Sequence, residues 1–147
     1  MSGPLRYPQV VVDASVWASI FMQQDINHAA SLEWWQEYIG RGGLILAPEI
    51  LLVEVSAAVG RRTQQPQLAA HSVLFLQRAT GLQLVAVDTT LILDAADLAG
   101  RLQIRGADAI YVATARQKAL PLVSWDNDQL ERATILPHTF LPRLFLY

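Results

Sequence analysis

The sequence contains no cysteine and almost no lysine. Without cysteine the chain can form no disulfide, thiolate nucleophile or thiolate zinc site, and such a composition is typical of a reducing compartment such as the cytoplasm. Zinc is also disfavoured because the three histidines, His28, His71 and His138, are scattered along the chain. Among the basic residues only Lys118 is lysine. A preference for arginine suits phosphate contacts, although GC-rich coding sequences favour it as well.

Long hydrophobic runs are also missing. Hydrophobic residues make up 52% of the 147 positions and charged residues only 16%, which is typical of a compact folded chain. No run approaches the roughly 20 apolar residues that a membrane span needs, and the N-terminus lacks the features of a signal peptide. We therefore predict one domain over residues 1–147, cytoplasmic and without a membrane span.

The net charge of −2 excludes a strongly basic nucleic-acid-binding protein. This is only weak evidence against a nuclease, because bound divalent cations would neutralise an acidic pocket and reverse the local field.

Apolar segments typical of buried strands alternate with segments typical of helices. Strands are predicted at 9–12, 44–47, 82–87 and 121–124, with a weak fifth at 134–136. Helices are predicted at 14–22, 25–40, 50–59 (with Pro48 in the first turn), 66–80, 91–102, 108–118 and 126–131. The alternation predicts an α/β domain with one parallel sheet of four or five strands and helices on both faces. Its core spans about 9–136, followed by an apolar tail at 137–147.

Four acidic residues lie near the carboxyl ends of the predicted strands. Asp13 directly follows the first strand and Asp126 comes two residues after the fourth. Glu54 lies about two turns into the helix after the second strand, and Asp108 lies early in the helix that leads to the fourth. Because ligands of open α/β sheets bind at the carboxyl edge of the sheet, all four side chains can reach one site.

Each acid also has a simpler interpretation. Asp13 and Asp126 suit helix N-caps, worth about 1 kcal/mol each, and Asp108 suits the first turn of a helix. Glu54 is harder to explain in this way, because no polar neighbour at helical spacing would keep it in water. Its neighbours three and four positions away are Ile50, Leu51, Ala57 and Ala58.

Four carboxylates at one place would repel one another and raise one another's pKa values. A divalent cation removes this conflict. Mg²⁺ or Mn²⁺ is the expected ion, because both prefer oxygen ligands such as carboxylates.

These acids lie in segments that resemble the PIN-domain ribonucleases, in particular toxins of the VapC type. The segments are VVVDASVW at 10–17, PEILLVEV at 48–55, GADAIYVATA at 106–115 and LVSWDND at 122–128. The resemblance runs from about residue 9 to about residue 135, and it rests on four motifs in the right order and spacing. It implies a three-layer α/β/α fold.

The resemblance also implies roles for individual residues. Asp13 and Asp108 correspond to the main metal-binding aspartates, Glu54 to the helical glutamate and Asp126 to the acid after the fourth strand. All four are therefore expected to be catalytic and to bind metal.

Three further residues are expected near this site. Ser15 and Ser124 correspond to small hydroxyl residues that support it. Asp128 is an extra acid that either joins a second metal or only occupies the start of a helix, and we favour the helix start.

The implied activity is endoribonuclease cleavage of RNA, dependent on one or two Mg²⁺ or Mn²⁺ ions, that leaves a 3′-hydroxyl and a 5′-phosphate. Arg61, Arg62, Arg105 and Arg116 are candidates for guiding the RNA backbone. A small antitoxin protein and a second copy of the chain are the expected partners. The Trp34-Trp35 pair and the apolar tail are candidate contact surfaces, or ordinary core.

Other interpretations are less well supported. A haloacid-dehalogenase-like phosphatase needs a second acid two residues after Asp13, where this chain has Ser15. A receiver domain needs a lysine after its last central strand, and none follows Lys118. A catalytically silent PIN fold that binds a protein partner is the main alternative.

Overall fold

The computed structural model describes residues 3–143, and its strands form one sheet in the order β3-β2-β1-β4-β5. All four strand pairings are parallel. The strands are β1 (Gln9–Val12), β2 (Leu44–Pro48), β3 (Leu82–Val85), β4 (Leu122–Val123) and β5 (Thr139–Phe140). The predicted parallel sheet is therefore confirmed, although the third and fourth strands are shorter than predicted.

Seven helices lie within the described residues and cover both faces of the sheet. They are α1 (Ala14–Phe21), α2 (His28–Gly40), α3 (Ile50–Thr63), α4 (Pro66–Arg78), α5 (Thr89–Leu102), α6 (Gly106–Lys118) and α7 (Asn127–Arg132). Alternate residues of β1 face opposite layers, because side chains of a strand alternate in direction. Val10 and Val12 pack in one core with α1 to α4, and Val11 packs in a second core with α5 and α6. This confirms the three-layer α/β/α fold.

The predicted bounds of α3 are wrong at both ends. Pro48 is the last residue of β2, paired with Val85, and does not lie in the first helical turn. The helix also continues through Gly60 and ends at Thr63. Gln64 caps it with a left-handed backbone (φ 54°), and its N–H donates to the Gly60 carbonyl at 2.9 Å.

Helix α2 begins three residues later than predicted. Asp25 accepts a hydrogen bond from the Asn27 backbone N–H at 2.8 Å in a turn that precedes the helix. Within α2, Trp34 is buried and stacks on Tyr38, with ring centroids 5.2 Å apart. Trp35 is half-buried and packs edge-on against Phe75 of α4. Both tryptophans therefore pack inside the fold.

The fifth strand was predicted at 134–136, and this is wrong. That segment is a turn in which the Leu136 N–H donates to the Ala133 carbonyl at 3.0 Å. The strand forms at Thr139–Phe140, where Ser124 N–H donates to the Phe140 carbonyl at 3.1 Å. The first part of the predicted tail thus belongs to the sheet, and residues 144–147 lie outside the described residues.

In the part of the chain that the structure describes, no helix is long and apolar enough to cross a membrane.

Candidate active site

The carboxyl ends of β1 and β4 form the base of the candidate site. These strands are neighbours at the centre of the sheet, and the chain leaves β1 toward β2 on one side and enters β4 on the other. Such a reversal of strand order opens a crevice at the carboxyl edge, where ligands of α/β proteins bind. Asp13 lies at this point, with its N–H donating to the Val123 carbonyl at 3.1 Å.

Asp13 is a buried carboxylate held by hydroxyl groups. It is only 4% exposed. Its Oδ1 accepts from Ser15 Oγ at 2.6 Å and from the Ser15 N–H at 3.1 Å, and its Oδ2 accepts from Ser124 Oγ at 2.7 Å. Burial raises the pKa of Asp13 to about 7, although the hydrogen bonds from Ser15 and Ser124 act in the opposite direction.

The same two hydroxyl groups join the start of α1 to the segment after β4. Ser15 Oγ accepts from the Trp125 N–H at 3.0 Å, and Ser124 Oγ accepts from the Asp126 N–H at 2.9 Å. The resemblance assigned supporting positions to these serines, and the structure places both directly on Asp13.

Glu54 reaches the site from the second turn of α3. Its Oε1 is buried without a hydrogen-bond partner in the described structure. The Tyr111 hydroxyl lies close enough to lower the pKa of Glu54, but the contact does not have hydrogen-bond geometry. Burial is the larger effect and raises the pKa of Glu54, and the nearby charge of Asp108 raises it further.

Asp108 and Asp126 form the outer part of the site and share a cation. Arg105 Nε lies 3.2 Å from Asp108 Oδ2, and Arg105 Nη2 lies 3.1 Å from Asp126 Oδ2. Burial raises the pKa of Asp108, and the guanidinium of Arg105 is the strongest opposing influence. The other oxygen of Asp126, Oδ1, caps α7 by accepting from the Gln129 N–H at 3.1 Å.

All four predicted acids line one pocket of about 230 Å³. Within residues 3–143, no three acidic or histidine side chains approach closely enough to form a ready-made metal centre. The donors nevertheless suit Mg²⁺ or Mn²⁺, because they are carboxylate oxygens and one of them is buried without a partner. The other residues that line the pocket are Ala14, Ser15, Arg105, Ala107 and Tyr111.

The structure does not bring every predicted residue into this pocket. Asp128 is exposed on α7 and pairs with Arg132 at 2.9 Å, consistent with the favoured interpretation as a helix-start acid. Arg61 and Arg62 line an adjoining cleft of about 280 Å³ together with Ser15, Glu54 and Trp125. Arg116 is exposed on α6.

The motifs did not predict that Tyr111 and Gln129 belong to the site. Tyr111 follows Asp108 by three positions, so it lies on the same face of α6, and this spacing was the available signal. Gln129 is buried and connects Ser124 with the Asp108 carbonyl, to which its Nε2 donates at 3.3 Å. Its position after Asp126 predicts a capping box, whose glutamine would reach back to the N-cap residue. Here the side chain turns inward instead.

Several solved structures share this fold, including the following three. VapC20 from Mycobacterium tuberculosis, described as a sarcin-ricin loop cleaving toxin, matches with a TM-score of 0.71 at 20% identity over 82% of this chain and 92% of that chain. FitAcB from Neisseria gonorrhoeae matches with a TM-score of 0.68 at 16% identity over 90% and 97%. A toxin–antitoxin complex from Klebsiella pneumoniae matches with a TM-score of 0.62 at 16% identity over 90% and 97%. At these identities the likeness shows a shared fold.

No curated protein matches the sequence. The PIN domain family model matches residues 10–135 of the chain. That range runs from β1 through α7 and includes all four acids of the pocket. The chain belongs to the PIN domain family.

Proposed function

We propose that this chain is a metal-dependent endoribonuclease that acts through Asp13, Glu54, Asp108 and Asp126. The observation that carries the proposal is the convergence of these acids on one pocket, with Glu54 Oε1 buried and unpartnered. Burying carboxylates without compensation is costly. A divalent cation bound between them would provide that compensation.

The residues have different parts in the proposed reaction. Asp108 and Asp126 present carboxylate oxygens at the mouth of the pocket, and Asp13 is held in a fixed orientation at its base by Ser15 and Ser124. Glu54 completes the donor set from α3. Bound Mg²⁺ or Mn²⁺ would supply an activated water and neutralise charge on the scissile phosphate.

The adjoining cleft supports RNA as the substrate. It shares Ser15 and Glu54 with the acidic pocket, so a chain whose phosphate lies at the acids can continue into it. Arg62 pairs with Asp25 at 2.7 Å. Arg61 is exposed and forms no ion pair with any residue of the range 3–143, which leaves its guanidinium free for a phosphate. The proposed place of action is the cytoplasm.

The proposal extends to a toxin that is held by a small antitoxin protein and forms a homodimer. The fold that this chain shares with a sarcin-ricin loop cleaving toxin and with a toxin–antitoxin complex supports the toxin and antitoxin parts of the proposal. Apolar side chains exposed on α3 and α5 give such partners something to cover: Val53 is 68% exposed and Leu93 is 65% exposed.

Substitution of Asp108 tests the nuclease assignment. We expect Asp108→Asn to abolish Mn²⁺-dependent cleavage of single-stranded RNA and to leave the melting temperature nearly unchanged, because the change removes charge but little volume. Asp97→Asn is the matched control, since Asp97 is exposed on α5 and pairs with Arg101 outside the pocket. Cleavage by Asp108→Asn at the rate of the unsubstituted protein would contradict the proposal and favour a silent binding module.

Growth after induced expression tests the toxin role. Arrest by the unsubstituted chain, but not by Asp108→Asn at equal protein level, is the expected result. Nuclease activity without growth arrest would support the nuclease assignment but contradict the toxin role.

A further inference from the structure

Arg105 has an unusual place at the mouth of the acidic pocket. It precedes α6 and its side chain is 80% exposed, whereas Asp108 and Asp126 are only 19% and 27% exposed. The guanidinium therefore reaches inward from solvent to bridge two acids of different elements. Among the described residues that line the pocket, Arg105 is the one cation.

The ion pairs of Arg105 contribute little to the stability of the folded protein. Ion pairs with an exposed partner contribute about 0–1 kcal/mol, because water and salt screen them. Arg105 also affects the ionisation of the acids, because its charge lowers the pKa of both Asp108 and Glu54 against the effect of burial. Arg105 thus supplies positive charge to the pocket.

The oxygens that Arg105 contacts are the outer donors of the proposed metal site. Asp108 Oδ2 and Asp126 Oδ2 both accept a hydrogen bond from the guanidinium. A divalent cation at these oxygens would repel the guanidinium strongly at such short range. The two cations would therefore compete for these oxygens. Arg105 can leave at small cost because its long side chain is mostly in solvent.

We propose that Arg105 is an internal counter-ion that competes with the divalent cation for Asp108 and Asp126, and that metal binding releases it to contact the RNA backbone. The inference rests on the proposed nuclease function. A released guanidinium at the rim would lie beside the bound phosphate, for which its planar fork is suited. Because RNA would draw Arg105 away from the acids, RNA and metal should strengthen each other's binding.

Calorimetric titration of RNA-free protein with Mn²⁺ at pH 8 tests the competition. Arg105→Gln removes the internal cation and both of its exposed ion pairs, and we expect the variant to bind Mn²⁺ about fivefold more tightly. Arg101→Gln is the matched control, because Arg101 is similarly exposed and pairs with Asp97 outside the pocket. The control should bind Mn²⁺ like the unsubstituted chain. Equal or weaker binding by Arg105→Gln would overturn the inference.

The release of Arg105 can be observed directly by NMR with diamagnetic Mg²⁺. The Arg105 Nε–H signal, assigned by its absence in Arg105→Gln, should shift on saturation with Mg²⁺, whereas the Arg101 signal should not. Mg²⁺ binding that leaves the Arg105 signal unchanged would overturn the inference while the nuclease proposal stands. Failure of every variant to bind Mn²⁺ or Mg²⁺ would instead contradict the proposed function itself.

Discussion

The two carboxylate oxygens of Asp126 have different partners. Oδ1 caps α7, and Oδ2 points into the pocket toward Arg105. Asp13 also caps its helix, through the Ser15 N–H, while lining the same pocket. At the residue scale, helix capping and site formation are therefore compatible, because a carboxylate has lone pairs enough for both.

The raised pKa values of the pocket acids predict how the stability of the metal-free protein depends on pH. The pKa of Asp13 is about 7 in the folded state, against 3.8 as its ordinary value. Between these values the folded chain binds a proton that the unfolded chain has released, so the free energy of unfolding falls as pH rises toward 7. Glu54 and Asp108 shift in the same direction.

Urea unfolding in EDTA at several pH values measures this effect. The unsubstituted chain should lose more stability between pH 5 and 8 than Asp13→Asn, which cannot ionise at this position. Parallel curves for the two proteins would show that Asp13 titrates normally.

The sequence placed all four acids correctly at one pocket, because strand ends and helix starts can be identified from apolar patterns. It could not place Tyr111 or Gln129. Their contacts depend on how α6 and α7 pack together, and no local pattern specifies that packing. Arg105 was predicted only as an RNA guide, since its ion pair with Asp126 joins residues 21 positions apart.

At the scale of elements, the end of α3 and the position of β5 were predicted wrongly, whereas the predicted ends of α5 at Leu102 and of α6 at Lys118 agree with the structure. Three helices end at residues with left-handed backbone, Gln64, Gln103 and Ala119, and none of these is glycine. The usual signal, a glycine just after the helix, therefore misplaced the end of α3 at Gly60. The fifth strand failed for a related reason, because its position is set by pairing with β4 and not by its own composition.

Gly60→Ala should stabilise the protein. Gly60 lies inside α3, and a Cβ there would meet the Ala69 Cβ at 3.8 Å, an ordinary contact. Alanine in a helix interior is favoured over glycine by about 0.5–1 kcal/mol. Urea unfolding should show this gain with RNA cleavage unchanged.

Gly81→Ala provides the opposite case. Gly81 has φ of 78°, and a Cβ would lie 2.5 Å from Ile39 Cδ1. This variant should be less stable than the unsubstituted chain. A loss of stability in Gly60→Ala would show that α3 and α4 are packed too tightly there to accept a methyl group.

At the scale of the whole molecule, net charge is a poor guide to the proposed substrate. The chain carries a net charge of −2. Acids line the pocket, while Arg61 and Arg62 lie in the cleft beside it. Asp25 and Glu54 also line the cleft and Arg62 is paired with Asp25, so Arg61 is the cation available there to a polyanion whose scissile phosphate reaches a metal.

Arg61→Gln should weaken the binding of single-stranded RNA in EDTA and reduce the salt dependence of binding by about one counterion. Fluorescence anisotropy at several salt concentrations measures both. Arg78→Gln is the control, because Arg78 is exposed on α4 and does not line this cleft. Equal losses in both variants would indicate general charge attraction and not a defined path for RNA.

The hydrogen bond between Ser124 and Asp13 has a consequence for the synthesis of the protein. The two residues are 111 positions apart in the chain, and the pocket is incomplete until β4 has paired with β1. Since chains are made from the N-terminus and distant contacts form late, a partly translated chain contains Asp13 and Glu54 but no assembled pocket. Under the proposed function, a ribosome would have to synthesise the chain beyond Asp126 before that copy could cleave RNA, including the message that encodes it.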